Sequence, residues 1–221
     1  MKVIVNYYCL FQFSKLTIKR LVSKEKYFLA KELYQEASIC WSRSFVILNN
    51  PSDKHGVIEA LQHCFELCVK SLWLVVGLEY PNTHDAGKNI KKVSKRLKLI
   101  LPKLNYKIWD EYLENWIILQ SDYMNKLHHL TIYGDEERGI SASKLFSDEE
   151  KSEIIRNVSA LFTFVGGPLQ WIGAGLGLLT ESEKKAYNEF KEVIRVISQD
   201  PNKISELYEN VRKFYTKHGD Y

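Results

Sequence analysis

The sequence predicts an all-α protein: an antiparallel up-and-down bundle of about five helices, followed by a C-terminal helical pair. Three observations predict it. Apolar residues recur every three or four positions nearly throughout, the period of a buried helix face. Paired start signals mark where helices open, as at Ser147 with Glu150 and at Thr180 with Glu183. Finally, no parallel-sheet pattern and no internal repeat appears, and the breaks between periodic stretches are short, which favours antiparallel neighbours.

The first helix covers about 26–49, with Leu29, Leu33, Ala37, Trp41, Phe45 and Leu48 as its apolar face. Asn49-Asn50-Pro51-Ser52-Asp53 is a turn. The second helix runs from about 54 to 76. Ile58, Leu61, Phe65, Val69, Leu72 and Val76 form a broad apolar face, and Gln62, His63, Glu66 and Lys70 a polar stripe. Gly77 ends it, and Pro81-Asn82-Thr83 is loop. A shorter helix over about 86–101 buries Ile90, Val93, Leu97 and Ile100, and Pro102 stops it. The fourth helix has the clearest repeat. Trp109, Leu113, Trp116, Gln120, Tyr123, Leu127 and Leu130 step 4-3-4-3-4-3, a bundle spacing with one polar insertion. The fifth covers about 148–165. Thr180 opens a sixth helix and Asp200-Pro201 a seventh.

These elements divide the chain into an N-terminal extension (1–25), a helical bundle (26–165), an apolar glycine-rich connection (166–179) and the C-terminal pair (180–221). The N-terminal MKVIVNYYCLFQF lacks a small-residue cleavage site and reads as an ordered extension, strand-like or helical. Residues 158–179 hold no charge and are long enough to span a bilayer. However, Gly166-Gly167-Pro168 interrupts them, so a helix end followed by an apolar loop is expected, not a membrane span. Four cysteines do not make a disulfide scaffold, and buried thiols in a reducing cytoplasm are expected. No cysteine or histidine spacing suits a metal, and no cofactor is implied.

The composition excludes disordered and collagen-like chains: 45% of residues are hydrophobic, 13% aromatic, and only 11 are glycine. The net charge is +4, too small to prove a nucleic-acid partner. Its distribution says more. Lys88, Lys91, Lys92, Lys95, Arg96, Lys98, Lys103 and Lys107 lie in one window without an acid. Removing these eight from the 31 basic residues leaves 23 against 27 acidic ones, so the rest of the chain is net −4. One basic segment therefore stands on an acidic body, suited to phosphates or an acidic partner.

The densest polar information precedes it. Glu66 and Lys70 are spaced for an ion pair, Gln62 and His63 lie one turn earlier, and His84-Asp85 stands before the basic helix. The stretch EALQHCFELCVKSLWLVVGLEYPNTHDAGKNI resembles the HEPN domain (higher eukaryotes and prokaryotes nucleotide-binding). The family's second helix typically carries two glutamines, then a glutamate, then a lysine, here Gln62, His63, Glu66 and Lys70. A Pro-x-Thr-His-Asp loop follows, here Pro81 to Asp85, and Tyr133-Gly134-Asp135 is similar to the family's Arg-Tyr-Pro-Asp segment.

The resemblance covers about 26–165. It implies a homodimeric bundle, and for many members a nucleotidyltransferase partner in a toxin–antitoxin-like pair. Other members cleave RNA through an Arg-x(4–6)-His motif. Here Arg156-Asn157 resembles the start of that motif, but Leu161, Phe162 and Thr163 occupy the histidine positions and cannot transfer protons. The expected function is therefore a non-catalytic module that binds a nucleotide, RNA or a nucleotidyltransferase. Its binding residues would be Gln62, His63, Glu66, Lys70, His84, Asp85, Lys88, Lys91, Lys92 and Lys95. One alternative is a metal-independent endoribonuclease with a displaced Arg212/His218 site. The other is a structural helical protein with a membrane-associated segment at 158–179.

Overall fold

The computed structural model describes residues 15–48, 56–82, 87, 89–100, 114–135, 137–141, 144–185 and 187–188. Five principal helices follow in order: α1 (Lys24–Leu48), α2 (Gly56–Val75), α3 (Lys91–Ile100), α4 (Glu114–Tyr133) and α5 (Asp148–Leu176). Shorter helical stretches occupy 15–21, 181–185 and 187–188. The one β pairing among the described residues is an isolated bridge between Asp135 and Ile140. The fold is all-α.

Side-chain contacts fix the helix directions. Ser71 Oγ donates to the Ala30 carbonyl at 2.8 Å, and Lys26 Nζ to the Gly77 carbonyl at 3.1 Å, so the start of α1 meets the end of α2. Trp41 Nε1 donates to Ser159 Oγ at 2.7 Å and Tyr34 Oη to the Phe162 carbonyl at 3.2 Å, so α1 and α5 run oppositely. Gln62, early in α2, meets Met124 in the middle of α4 and Thr131 near its end, while Gly87, beyond the end of α2, meets Ile117 and Ser121 in the first half of α4. The long helices therefore run up, down, up, down.

Helix α2 is the central element. Fifteen of its 20 residues are buried, the mark of a helix surrounded by others. Beside it, Phe162 of α5 stacks on both Tyr34 and Trp41 of α1, with centroids 4.6 and 5.5 Å away. Each such aromatic pair adds about 0.5–1.5 kcal/mol beyond its buried area. The expected seam of α4 is present: Trp116, Gln120, Tyr123 and Leu127 are all buried. Trp109 and Leu113 lie outside the described residues, as do residues 1–14 of the extension and the seventh helix.

Both capping boxes form. Glu150 N–H donates to Ser147 Oγ at 3.2 Å, and Ser147 N–H to Glu150 Oε2 at 2.7 Å. Thr180 N–H reaches Glu183 Oε2 at 2.8 Å, and Lys31 of α1 pairs with the same carboxylate group at 2.6 Å. Burial alone would raise the Glu183 pKa, but the bonds from Lys31 and Thr180 outweigh it and the group stays below the usual carboxylate range.

Three expectations are corrected. First, α5 does not end at 165. It runs through Gly166-Gly167-Pro168 to Leu176, so residues 166–176 are helix and not a connecting loop. The glycines are used for close packing: a Cβ on Gly166 would lie 2.7 Å from Tyr34 Oη, and one on Gly175 2.5 Å from Ile18 Cδ1. Packing on both sides overrides a weak helix propensity. The helix stops at Gly177, whose φ of 75° gives a left-handed cap. Second, α3 starts at Lys91 and not near 86, because Asn89 has a φ of 64° that no right-handed helix accepts. Third, α1 is apolar on two sides. Leu29 and Phe45, expected in the core, are 43% and 37% exposed, while Tyr27, Ala30, Ala37 and Ile47 are buried.

Among the described residues no helix is long and apolar enough to cross a membrane. Val158, Leu161, Val165, Leu169 and Ile172 of the uncharged segment are buried in the core.

Candidate functional site

The polar stripe of α2 divides into two parts. Gln62 is engaged with α4: its Nε2 donates to the Met124 carbonyl at 2.6 Å, and its Oε1 accepts from Thr131 Oγ1 at 3.1 Å. It clamps two helices together. One turn on, Glu66 and Lys70 pair at 2.5 Å, and Lys70 Nζ also sits 5.3 Å from the Tyr80 ring centroid. A cation held between a carboxylate and an aromatic face ties the loop after α2 back onto that helix. His63 projects into solvent beside this pair.

His84, Asp85 and Lys88 lie outside the described residues. The chain on either side of them is placed. Gly87 lies so close to α4 that a Cβ there would meet Ser121 Oγ at 2.5 Å. The turn then passes through Asn89 into α3, where Ile90 N–H bonds the Gly87 carbonyl at 3.1 Å. Sequence reasoning missed Gly87, Ser121 and Thr131. The glycine just before a basic helix was the one available signal, while the α4 partners are distant in sequence.

Helix α3 carries the basic face. Val93, Ser94, Leu97 and Ile100 are buried. Lys91 reaches Glu114 at the start of α4 at 3.6 Å. Lys92 and Lys95 are exposed, Arg96 is half-buried, and none of the three has an ion pair among the described residues. At about 100° per residue these three span roughly 100° of the helix surface. Leu99, 57% exposed, lies inside that arc.

The arrangement is unfavourable for an isolated helix. Lys92 with Lys95, Lys92 with Arg96 and Lys91 with Lys95 are like charges three or four residues apart, each costing about 0.2–0.5 kcal/mol. Lys91 and Lys92 also sit at the positive end of the helix dipole. Burial of the opposite face holds the helix in place and leaves an electropositive surface.

The described residues offer little for covalent or metal chemistry. No group of three or more potential metal ligands occurs among them. Burial raises the Cys40 thiol, and burial with the Cys64 hydrogen bond raises Cys68, so neither is an activated thiolate. Burial also pushes the Tyr27 hydroxyl up to about 12. Leu161 is core, Phe162 is the stacked ring between Tyr34 and Trp41, and Arg156 pairs with Glu153. Two of the three positions where such a motif would carry its histidine, Leu161 and Phe162, thus serve packing, while Thr163 and Arg156 are exposed. Arg212 and His218 lie outside the described residues. Among the described residues, four buried polar atoms have no hydrogen-bond partner: Trp116 Nε1, both amide atoms of Gln120, and Asn157 Nδ2.

Comparison with known families matches residues 30–167 to the HEPN domain. Neither the curated proteins nor the solved structures yield a match. The matched span begins in α1, ends in α5, and contains α2 with its polar stripe and the basic α3. It covers well over half of the 221 residues. HEPN domains are all-α and have nucleotide- or RNA-related functions, in keeping with both the bundle and its basic face. The chain belongs to the HEPN domain family.

Proposed function

We propose that this HEPN-family chain is a binding module for single-stranded RNA that holds the phosphate backbone on α3 without cleaving it. One observation carries the reading: Lys92, Lys95 and Arg96 share one face of α3 without ion-pair partners among the described residues. A helix face is convex and open, which suits a strand better than an enclosed nucleotide. Leu99 in the same arc supplies apolar contact for a base or ribose. The Glu66–Lys70–Tyr80 cluster braces the loop that leads towards α3, so it positions the basic face. His84, Asp85 and Lys88 belong to the same segment and are proposed to extend the surface.

The test is fluorescence anisotropy with a labelled single-stranded RNA of about 20 nucleotides and the full chain. Reversing three charges together, Lys92→Glu, Lys95→Glu and Arg96→Glu, weakens binding at least about tenfold, since each phosphate contact contributes an electrostatic term. Reversing the exposed Lys19 and Lys185 leaves it within about twofold. Equal affinity for wild type and triple variant would sink the proposal. Gel analysis of the same RNA shows it intact; cleavage that disappears in His218→Ala would support the nuclease reading instead.

A further inference from the structure

The acidic remainder of the chain is itself uneven. Residues 1–24 hold Lys2, Lys15, Lys19, Arg20 and Lys24 and no acid. Taking these five from the 23 basic residues outside the α3 window leaves 18 against 27, so the rest is net −9. The described part of this second basic stretch lies at one end of the bundle. The short helix over 15–21 packs there by an apolar inner side, with Ile18 and Val22 buried. A Cβ on Gly175 would meet Ile18 Cδ1 at 2.5 Å, and one on Gly77 would meet the Leu21 carbonyl. The end of α5, the end of α2 and the start of α1 therefore meet beneath it.

Its outer side mixes charge with apolar surface. Leu16, Lys19 and Arg20 are three and four residues apart, share one face and are exposed, Leu16 by 68%. The first turns of α1 repeat the mixture. Lys24 and Phe28 lie one turn apart on its outer side with Leu29 beside Phe28, and all three are exposed. Lys19, Arg20 and Lys24 form no ion pair among the described residues, whereas Lys26 is turned to Glu79 at 2.7 Å. Glu25 is the one acid between Lys15 and Leu29. The sequence leading into the patch adds Val3, Ile4, Val5, Leu10, Phe11 and Phe13 and no negative charge.

We infer that this end of the bundle is a docking surface for an anionic lipid bilayer. Lys19, Arg20 and Lys24 meet the lipid phosphates, while Leu16, Phe28 and Leu29 enter the boundary between headgroups and acyl chains. Long basic side chains suit such a boundary, because their stems lie along apolar material and their heads stay in the polar layer. The contact is peripheral. No described helix can cross a membrane, and the apolar residues of the uncharged 158–179 segment that are buried belong to the core.

Composition separates this surface from α3. There, three cations without ion pairs accompany one exposed apolar residue, Leu99. Here the two kinds are equal in number, three and three, and a polyanionic strand would leave most of the apolar surface in water. Three apolar side chains are too few to hold the chain on a neutral bilayer, so both halves of the patch are needed. Each basic residue near an anionic surface contributes about fivefold in affinity. The attraction decays over about 8–10 Å at ordinary salt, so the cations of a separate helix face add little. The surface does not depend on the RNA-binding reading.

Cosedimentation of the full chain with lipid vesicles tests it. Phosphatidylcholine vesicles containing about 30% phosphatidylserine bind the chain at least about tenfold more strongly than phosphatidylcholine alone. Lys19→Glu, Arg20→Glu and Lys24→Glu together weaken that binding at least about tenfold. Leu16→Ser with Phe28→Ser weakens it about fivefold at unchanged charge. All five side chains are exposed, and an unchanged helical circular dichroism spectrum checks the fold of each variant. The Lys92/Lys95/Arg96 reversal shifts vesicle binding by less than about twofold, and the Lys19/Arg20/Lys24 reversal shifts RNA binding by less than about twofold. Equal affinity for the two lipid mixtures overturns the inference, as does vesicle binding that follows α3 and ignores Lys19, Arg20 and Lys24. Vesicle binding indifferent to Leu16→Ser with Phe28→Ser overturns it by leaving charge alone. A tenfold loss of RNA affinity in the Lys19/Arg20/Lys24 variant overturns it in favour of an RNA surface.

Discussion

Gln62 and Gln120 bring the same amide group into the α2–α4 region with opposite consequences. Gln62 bonds the Met124 carbonyl and Thr131, so its polarity is used on both ends. Gln120 is fully buried, and neither its nitrogen nor its oxygen has a partner among the described residues. A buried polar group left unsatisfied costs about 1–3 kcal/mol, whereas a satisfied one contributes about 0.5–1.5 kcal/mol. Gln120→Leu, close in volume, should therefore raise stability by about 1–2 kcal/mol, a Tm gain of roughly 2–8 °C for this chain length. Gln62→Leu should lower it by about 1–3 kcal/mol. Thermal unfolding followed by circular dichroism gives both signs, and a destabilising Gln120→Leu would show that its amide has a partner in the working protein. The sequence makes both glutamines visible, one in a polar stripe and one as the polar step in an apolar seam. It cannot show that Thr131 arrives beside Gln62 from another helix, so an interhelix clamp reads as a binding residue.

At the level of elements, local rules succeed wherever the signal is local. The capping boxes at Ser147 and Thr180 depend on residues three apart, and both form. The rule that fails is the one most exposed to tertiary context. Gly166-Gly167-Pro168 reads as a helix end, yet α5 continues because α1 and residues 15–21 approach it where side chains are absent. Gly173 separates the two readings by sign. In a solvated helix, Gly→Ala stabilises by about 1 kcal/mol through propensity. Here a Cβ would lie 2.6 Å from Leu179 Cδ2 and against the Tyr27 ring, which is buried and held. Gly173→Ala should instead cost about 1–3 kcal/mol by overpacking. Urea unfolding with an unchanged m-value would measure it, and a stabilised variant would mean that α1 and α5 are looser than the contact implies. The second face of α1 escaped sequence reading for a related reason. Its apolar residues occur all round the helix, and period alone cannot say which side the bundle takes.

Across the whole molecule, the legible quantity is how charge is divided. A net charge of +4 resolves into a +8 window and a −4 remainder, and the structure sets part of that window on one helix face. Lys91 is partly answered by Glu114, which leaves Lys92, Lys95 and Arg96 as the cations of the described part of α3 open to an anion. A net-acidic remainder disfavours a polyanion, so binding should involve few contacts and a modest salt response. For single strands the slope of log K against log salt is about −0.7 per phosphate neutralised. About three contacts give a slope near −2, so raising salt from about 50 to about 200 mM should weaken RNA binding by roughly 20-fold. The triple charge reversal should flatten the slope towards zero along with the affinity. Anisotropy titrations over a series of salt concentrations give the number directly. A slope several units steeper would mean that Lys88, Lys103 and Lys107 also reach the strand, and a slope near zero in wild type would remove phosphate recognition from α3 altogether.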